Sequence, residues 1–156
     1  MCTLGRPVEA IGDGWSLLIL REAFNGARRF GEFQKGLGLA RNILASRLRR
    51  LVAHGILETA PASDGSAYAE YVLTQKGRAL FPVLVALRQW GEAHFFGSAE
   101  KPVRLVDLKN GRSVRPLEVR AEDGRALNPE DTVVVWPDGR PIGHPAPSLR
   151  RSRRAA

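Results

Sequence analysis

The chain has 156 residues, of which 44% are apolar and 26% charged, as in ordinary globular domains. Its 24 Lys and Arg residues outnumber 16 acidic ones, and the net charge of +8 favours a polyanionic partner: DNA, RNA or a membrane surface. No apolar run approaches the roughly 20 residues that span a bilayer. The patterned sequence directly after Met1 leads us to expect no signal peptide, and the single cysteine excludes an internal disulfide and a cysteine-based zinc cluster. We therefore expect a cytoplasmic protein without a membrane partner.

Two short helices are predicted in the first 35 residues. Asp13 stands directly before an apolar segment and can cap a helix that runs to about Asn25. A second helix is predicted over residues 28 to 35, with Phe30 and Phe33 facing inward. Both helices would contribute to a small helical core.

A third helix, beginning at Arg41 and ended by Gly55, is strongly basic. Its first ten residues include four arginines and no acid, while Leu44, Leu48 and Leu51 form one apolar stripe. An exposed face that is basic and rich in hydrogen-bonding groups suits an element inserted in the major groove of DNA. The alternative is a solvated helix with ordinary surface arginines. The residues expected on the exposed face are Arg41, Asn42, Ala45, Ser46 and Arg49.

Two strands and a long helix are predicted next. Residues 57 to 60 and 68 to 73 are predicted to form a hairpin, joined by a loop that contains Asp64 and Gly65. Thr74 can cap a last helix that extends from residue 75 to about 96, and Pro82 should kink that helix. This order, three helices and then a hairpin, predicts an α+β fold of the winged helix-turn-helix type with a long C-terminal helix.

Several blocks in this order resemble the HxlR-type transcriptional regulators. They are Cys2 nine positions before IGDGWSLLILRE, then RRFGEF, ARNILASRLRRLVAHGIL, YVLTQKGRAL and PVLVALRQWG. The likeness covers residues 2 to about 95. It implies a homodimeric, sequence-specific regulator that binds a palindromic site in double-stranded DNA through its third helix. We expect this regulator to be a repressor.

The resemblance also assigns roles to residues. The exposed face of the basic helix would contact DNA, and we expect Arg28 and Arg29 to bind DNA as well. Dimer contacts would come from the N-terminal segment and the last helix, although the same apolar residues could instead pack within one chain. Cys2 matches a cysteine that acts as a redox sensor in some relatives; the alternative is an exposed cysteine without function. The dimer candidates are Val8, Ile11, Leu84, Leu87 and Trp90.

Two positions depart from what a winged DNA-binding fold would favour. Between residues 57 and 74 there are three acidic residues and no Lys or Arg, so wing contacts to phosphate would have to come from backbone amides, Ser63 or Ser66. Ala40 precedes the basic helix and cannot cap it.

The second part of the chain has a different pattern. Tight-turn signals recur at Asn110-Gly111, Asp123-Gly124 and Asp138-Gly139, between short apolar segments, and predict a small meander of three or four strands. We expect a DNA-binding and dimerisation domain over residues 1–97, a β-rich extension over 98–143, and a disordered, Arg-rich tail over 144–156.

The sequence gives little support to catalysis. His54, His94 and His144 are scattered, without metal-ligand spacing or an acid-base partner, so we expect no enzyme, cofactor or metal. A nucleic-acid-binding protein without sequence preference and a protein-interaction adaptor remain alternatives. The sequence does not identify a small-molecule effector.

Overall fold

The computed structural model describes residues 3–143, which fall into two compact units, one ending at Val103 and the other beginning at Arg104. The first unit begins with a helix that the sequence did not predict, α1 (Gly5–Ile11). It is followed by α2 (Gly14–Phe24), α3 (Phe30–Leu37) and α4 (Arg41–Ala53). No helix among the described residues is long and apolar enough to cross a membrane.

The predicted cap of α2 is confirmed. The Asp13 carboxylate accepts hydrogen bonds from the Ser16 amide at 2.9 Å and from the Ser16 hydroxyl at 2.6 Å. These bonds satisfy an amide that the first turn leaves without a helical partner. Asp13 therefore fixes where α2 begins.

The helical core forms around the predicted leucine stripe. Leu44, Leu48 and Leu51 of α4 are fully buried, as is Phe33 of α3. Gly38 adopts a φ of +63° between α3 and α4, a backbone conformation that glycine reaches without steric cost. The remaining buried residues of this core are Ala10, Ile11, Ile19, Leu20, Leu39, Ile56 and Leu57.

A two-stranded antiparallel sheet completes the α+β fold, as predicted. Strands β1 (Leu57–Ala60) and β2 (Glu70–Leu73) pair with Leu57 opposite Leu73 and Ala60 opposite Glu70. The second strand starts two residues later than the sequence indicated. The two strands and the segment that joins them, residues 57–73, form the wing.

The predicted long C-terminal helix is present, but it begins at Phe81 and not at residue 75. The chain forms a single turn, α5 (Gln75–Arg78), and then α6 (Phe81–Phe95), with Pro82 in the first turn of α6. Proline lacks a backbone donor and crowds the preceding turn, so it is tolerated at a helix start and interrupts a helix interior. Thr74 caps α5 as predicted, since its hydroxyl accepts a hydrogen bond from the Gly77 amide at 3.0 Å.

The described part of the second unit, residues 104–143, consists mainly of turns. Each predicted tight turn is present, but among residues 104–143 the flanking segments meet in single antiparallel bridges rather than in regular strands. The bridges join Val106 to Ser113, Arg120 to Ala126 and Val135 to Pro141. Hairpins need an apolar face packed on another layer, and here the apolar side chains are largely exposed, so pairing does not extend beyond each turn. The expected Arg-rich tail lies outside the described residues.

Candidate nucleic-acid interface

The outward face of α4 carries the predicted polar and basic residues. Arg41, Asn42, Ser46 and Arg49 are exposed and Ala45 is half-buried, while the opposite face is the buried leucine stripe. The helix has no acidic residue. Its surface therefore offers guanidinium, amide and hydroxyl groups without a neighbouring carboxylate on the same helix.

The N-terminal end of α4 is held against α3. The Arg41 guanidinium lies over the Phe30 ring, 5.3 Å from its centroid, which is a cation–π geometry. Ala40 provides no side-chain acceptor for the first turn, as the sequence predicted. The first amides of α4 are thus left without a side-chain cap beside a positioned guanidinium.

The other two arginines of α4 tie the helix to its neighbours. Arg47 Nε lies 3.1 Å from Asp13 Oδ1, and Arg50 Nη2 donates to the backbone carbonyl of Glu9 in α1. Burial raises the pKa of Asp13, but the bonds from Ser16 and the charge of Arg47 outweigh that effect and leave the pKa below its usual value. Two of the four arginines are therefore structural, and Arg41 and Arg49 remain for a ligand.

Arg28 and Arg29 lie next to the wing and contact its acidic residues. Arg29 Nη2 is 2.5 Å from Asp64 Oδ2, and Arg28 Nη1 is 3.5 Å from Glu70 Oε2. The hydrogen bond from Arg29 holds the pKa of Asp64 far below its usual range. The acidic residues of the wing thus offset the positive charge of the two arginines before α3.

Glu70 is the centre of this contact. Its side chain is almost completely buried, and Oε1 accepts hydrogen bonds from the amide and hydroxyl of Ser63 at 3.2 and 2.9 Å. These bonds, together with Arg28, lower the pKa of Glu70. Ser63 is consequently engaged within the wing, and the expectation that its hydroxyl serves a phosphate has no structural support.

The predicted dimer residues fall into two groups. Val8, Leu87 and Trp90 are exposed, with 60%, 45% and 54% of their surfaces accessible. Ile11 lies in the core and Leu84 packs against it, so these two side chains stabilise their own chain. The dimer role of all five residues stays a prediction. Cys2 lies outside the described residues.

The contacts between the residues before α3 and the wing were not predicted, because Arg28 and Glu70 are 42 positions apart. The signal that could have indicated them was the charge pattern itself: a pair of arginines on one segment and a carboxylate-rich wing without any cation. Opposite charges in a small fold tend to meet. No cluster of potential metal ligands occurs among residues 3–143.

Comparisons with known proteins agree with this arrangement. The HxlR-like helix-turn-helix family matches residues 10–98. An uncharacterized HTH-type transcriptional regulator of Mycobacterium tuberculosis is 45% identical over 125 residues, which are 80% of this chain and 79% of that protein. The crystal structure of PA1607, a candidate transcription factor, has 60% identity and a TM-score of 0.83 over 86% of this chain and 94% of that one. The structure of PA1374 from Pseudomonas aeruginosa, also a candidate transcription factor, has 37% identity and a TM-score of 0.61 over 97% and 99% of the two chains.

Proposed function

The chain belongs to the HxlR-like helix-turn-helix family, whose relatives are transcriptional regulators, and from that premise we propose that it is a homodimeric repressor that binds a palindromic operator through α4. The family supports DNA binding and regulation of transcription. The dimer, the operator symmetry, the direction of regulation and the residues that read DNA are our proposal.

The observation that carries the proposal is the division of α4 into two faces. Three fully buried leucines fix the helix on the core, and the opposite side exposes Arg41, Asn42, Ser46 and Arg49 to solvent. A recognition helix must be rigid on one side and rich in hydrogen-bonding groups on the other. The same face fits a duplex better than a protein partner, because its exposed charges are all positive.

We assign reading and positioning to different ends of α4. Arg41 and Asn42 stand at the N-terminal end, where a helix in the major groove presents side chains to base edges. Arginine can form two hydrogen bonds with guanine, and asparagine two with adenine. Arg49 lies two turns further along and would contact phosphate. Phe30 beneath Arg41 would restrict the directions from which the guanidinium approaches a base.

The dimer proposal depends on an apolar stripe on α6. Val83, Leu87 and Trp90 follow one another at helical spacing and are all about half exposed, while Val85 on the other side is buried. Val8 of α1 is exposed as well. Contiguous exposed apolar surface on a small chain indicates an interface. Two copies joined through these helices would place their α4 helices about 34 Å apart, one turn of DNA.

We propose repression because occupation of a promoter by a bound dimer is sufficient to block transcription. Enrichment of random duplexes by the purified chain tests sequence-specific binding, and a reporter fused to the enriched site tests its direction. A palindrome that lowers reporter expression supports the proposal. Equal recovery of all duplexes, with affinity falling steeply with salt, would instead favour binding without sequence preference.

The oligomeric state is tested by sedimentation at micromolar concentration. We expect a dimer that Leu87→Asp converts to a monomer, because a carboxylate would be desolvated in the apolar interface. Tyr68→Asp is the matched control, since Tyr68 is an exposed apolar residue of the wing. A monomer that binds a palindrome with one chain per site would refute the dimer.

A further inference from the structure

A groove opens between α1, the C-terminal end of α4, and α5. It offers about 500 Å³ of space, within the usual range for small-molecule sites. Its floor is apolar and consists of Ala10, Ile11, Ile56 and Leu80, the first three of which are buried. None of the exposed apolar residues that we assign to the dimer lines the groove.

Charged side chains stand around the floor. Arg6 on α1 and Lys76 on α5 provide two cations, Glu9 provides one carboxylate, and His54 lies at the end of α4. The fixed charge of the groove is therefore positive by one unit. An apolar floor bordered by cationic side chains is complementary to a molecule that has an apolar body and one acidic group.

The groove also contacts the last turn of α4. Lys76 Nζ donates a hydrogen bond to the His54 carbonyl at 2.7 Å, and Arg50 of α4 donates to the carbonyl of Glu9. Both bonds cross between elements that form the groove walls. An occupant would therefore lie against Glu9, His54 and Lys76, which take part in these bonds.

We infer that this groove is a binding site for a small organic anion with an apolar body, such as an aromatic or medium-chain carboxylate. The apolar part lies on the floor, and the carboxylate lies between Arg6 and Lys76. If α4 reads DNA, as proposed above, the occupant would change the position of the recognition helix relative to the core. That consequence rests on the proposed function, whereas binding of the anion does not.

The test uses the 156-residue chain without DNA. Benzoate, indole-3-acetate and octanoate are titrated to about 10 mM, where a site with a Kd of ~1 mM is nine-tenths occupied. Amide chemical shifts should change at Ala10, Ile11, Ile56 and Leu80 with at least one of them. The corresponding neutral amides, such as benzamide, should bind more weakly. Absence of shifts at these four residues with all three anions would overturn the inference.

Charge variants test the assigned contacts. Lys76→Gln and Arg6→Gln should each weaken binding about two- to fivefold, and Glu9→Gln should strengthen it by a similar factor, because exposed charges contribute modestly. Arg78→Gln is the matched control: it removes a charge from the same short helix, outside the groove. Equal effects of Lys76→Gln and Arg78→Gln, or weakening by Glu9→Gln, would contradict the placement of the carboxylate.

Discussion

Replacement of Leu48 by alanine should destabilise the chain strongly without touching the proposed DNA surface. Leu48 is fully buried in the middle of α4. The change removes three carbon atoms, worth about 2.4 kcal/mol of transfer free energy at ~0.8 kcal/mol each. A residual void adds about 24 cal/mol per Å³, so the expected total loss is about 2–5 kcal/mol.

Ile43→Ala is the matched control for this change. Ile43 lies on the same helix and loses the same number of carbons, but 38% of its surface is exposed. We expect a loss of no more than about 1.5 kcal/mol, because the removed atoms were only partly buried. Urea unfolding followed by circular dichroism measures both free energies of unfolding, with equal m-values showing that the unfolded states are comparable. Equal losses for the two variants would refute the assignment of the buried and exposed faces.

Three further changes probe the cap, a close backbone approach and the wing. Asp13→Asn keeps a capping oxygen but removes the charge that pairs with Arg47, so it should cost at most about 1 kcal/mol at neutral pH. Since folding lowers the pKa of Asp13, the advantage of the native carboxylate should be complete above its ordinary pKa of 3.8 and should be lost as the pH falls through the lower pKa of the folded state, which unfolding at a series of pH values from 7 downwards will show. Gly77→Ala should cost about 1–3 kcal/mol, because an added Cβ would lie 2.2 Å from the Ile56 carbonyl oxygen, whereas Gly91→Ala, with nothing within 4 Å, should raise the thermal midpoint. Glu70→Gln should weaken the ion pairs with Arg28 and Arg29 and strengthen binding to random duplexes. Each further phosphate that these arginines neutralise would steepen the slope of log affinity against log salt concentration by about 0.9. An unchanged slope would show that the two arginines do not contact DNA.

The elements with local signals were predictable from the sequence. The cap at Asp13 and the leucine stripe of α4 depend on residues within two helical turns, and both were confirmed. The start of α1 has no such signal: its N-cap residue, Leu4, makes no side-chain bond, and the first turn has no acid. Only Pro7 in the first turn indicated a helix start. This helix is held in part by Arg50, a contact that requires the folded chain.

The chemistry around α4 was only partly predictable. Its exposed residues followed from helical periodicity, but the sequence did not show that Arg47 and Arg50 bind neighbouring helices while Arg41 lies on Phe30. The pairing of Arg28 with Glu70 likewise depends on tertiary structure. A long, flexible arginine side chain can reach several partners from one position, so its contacts cannot be predicted from the spacing of residues along the sequence.

The extension shows the limit of turn signals. Hydrogen bonds from the amides of Arg112, Arg125 and Arg140 to the Asn or Asp side chain two positions earlier define each turn. The length of the flanking strands is decided by packing instead. Val119 and Val134 are about two-thirds exposed, so packing of these side chains does not stabilise longer strand pairing within residues 104–143.

The central claim is that α4 reads bases, and it is tested most directly by the ratio of operator to random-duplex affinity in alanine variants of its exposed face. Arg41→Ala and Asn42→Ala should each weaken operator binding by roughly 1–3 kcal/mol and so lower that ratio. Each change should also relax the base preference at one base pair per half-site. Arg49→Ala should weaken both duplexes by similar factors and leave the ratio unchanged. If folded Arg41→Ala and Asn42→Ala variants keep the native ratio, α4 does not read the sequence of DNA.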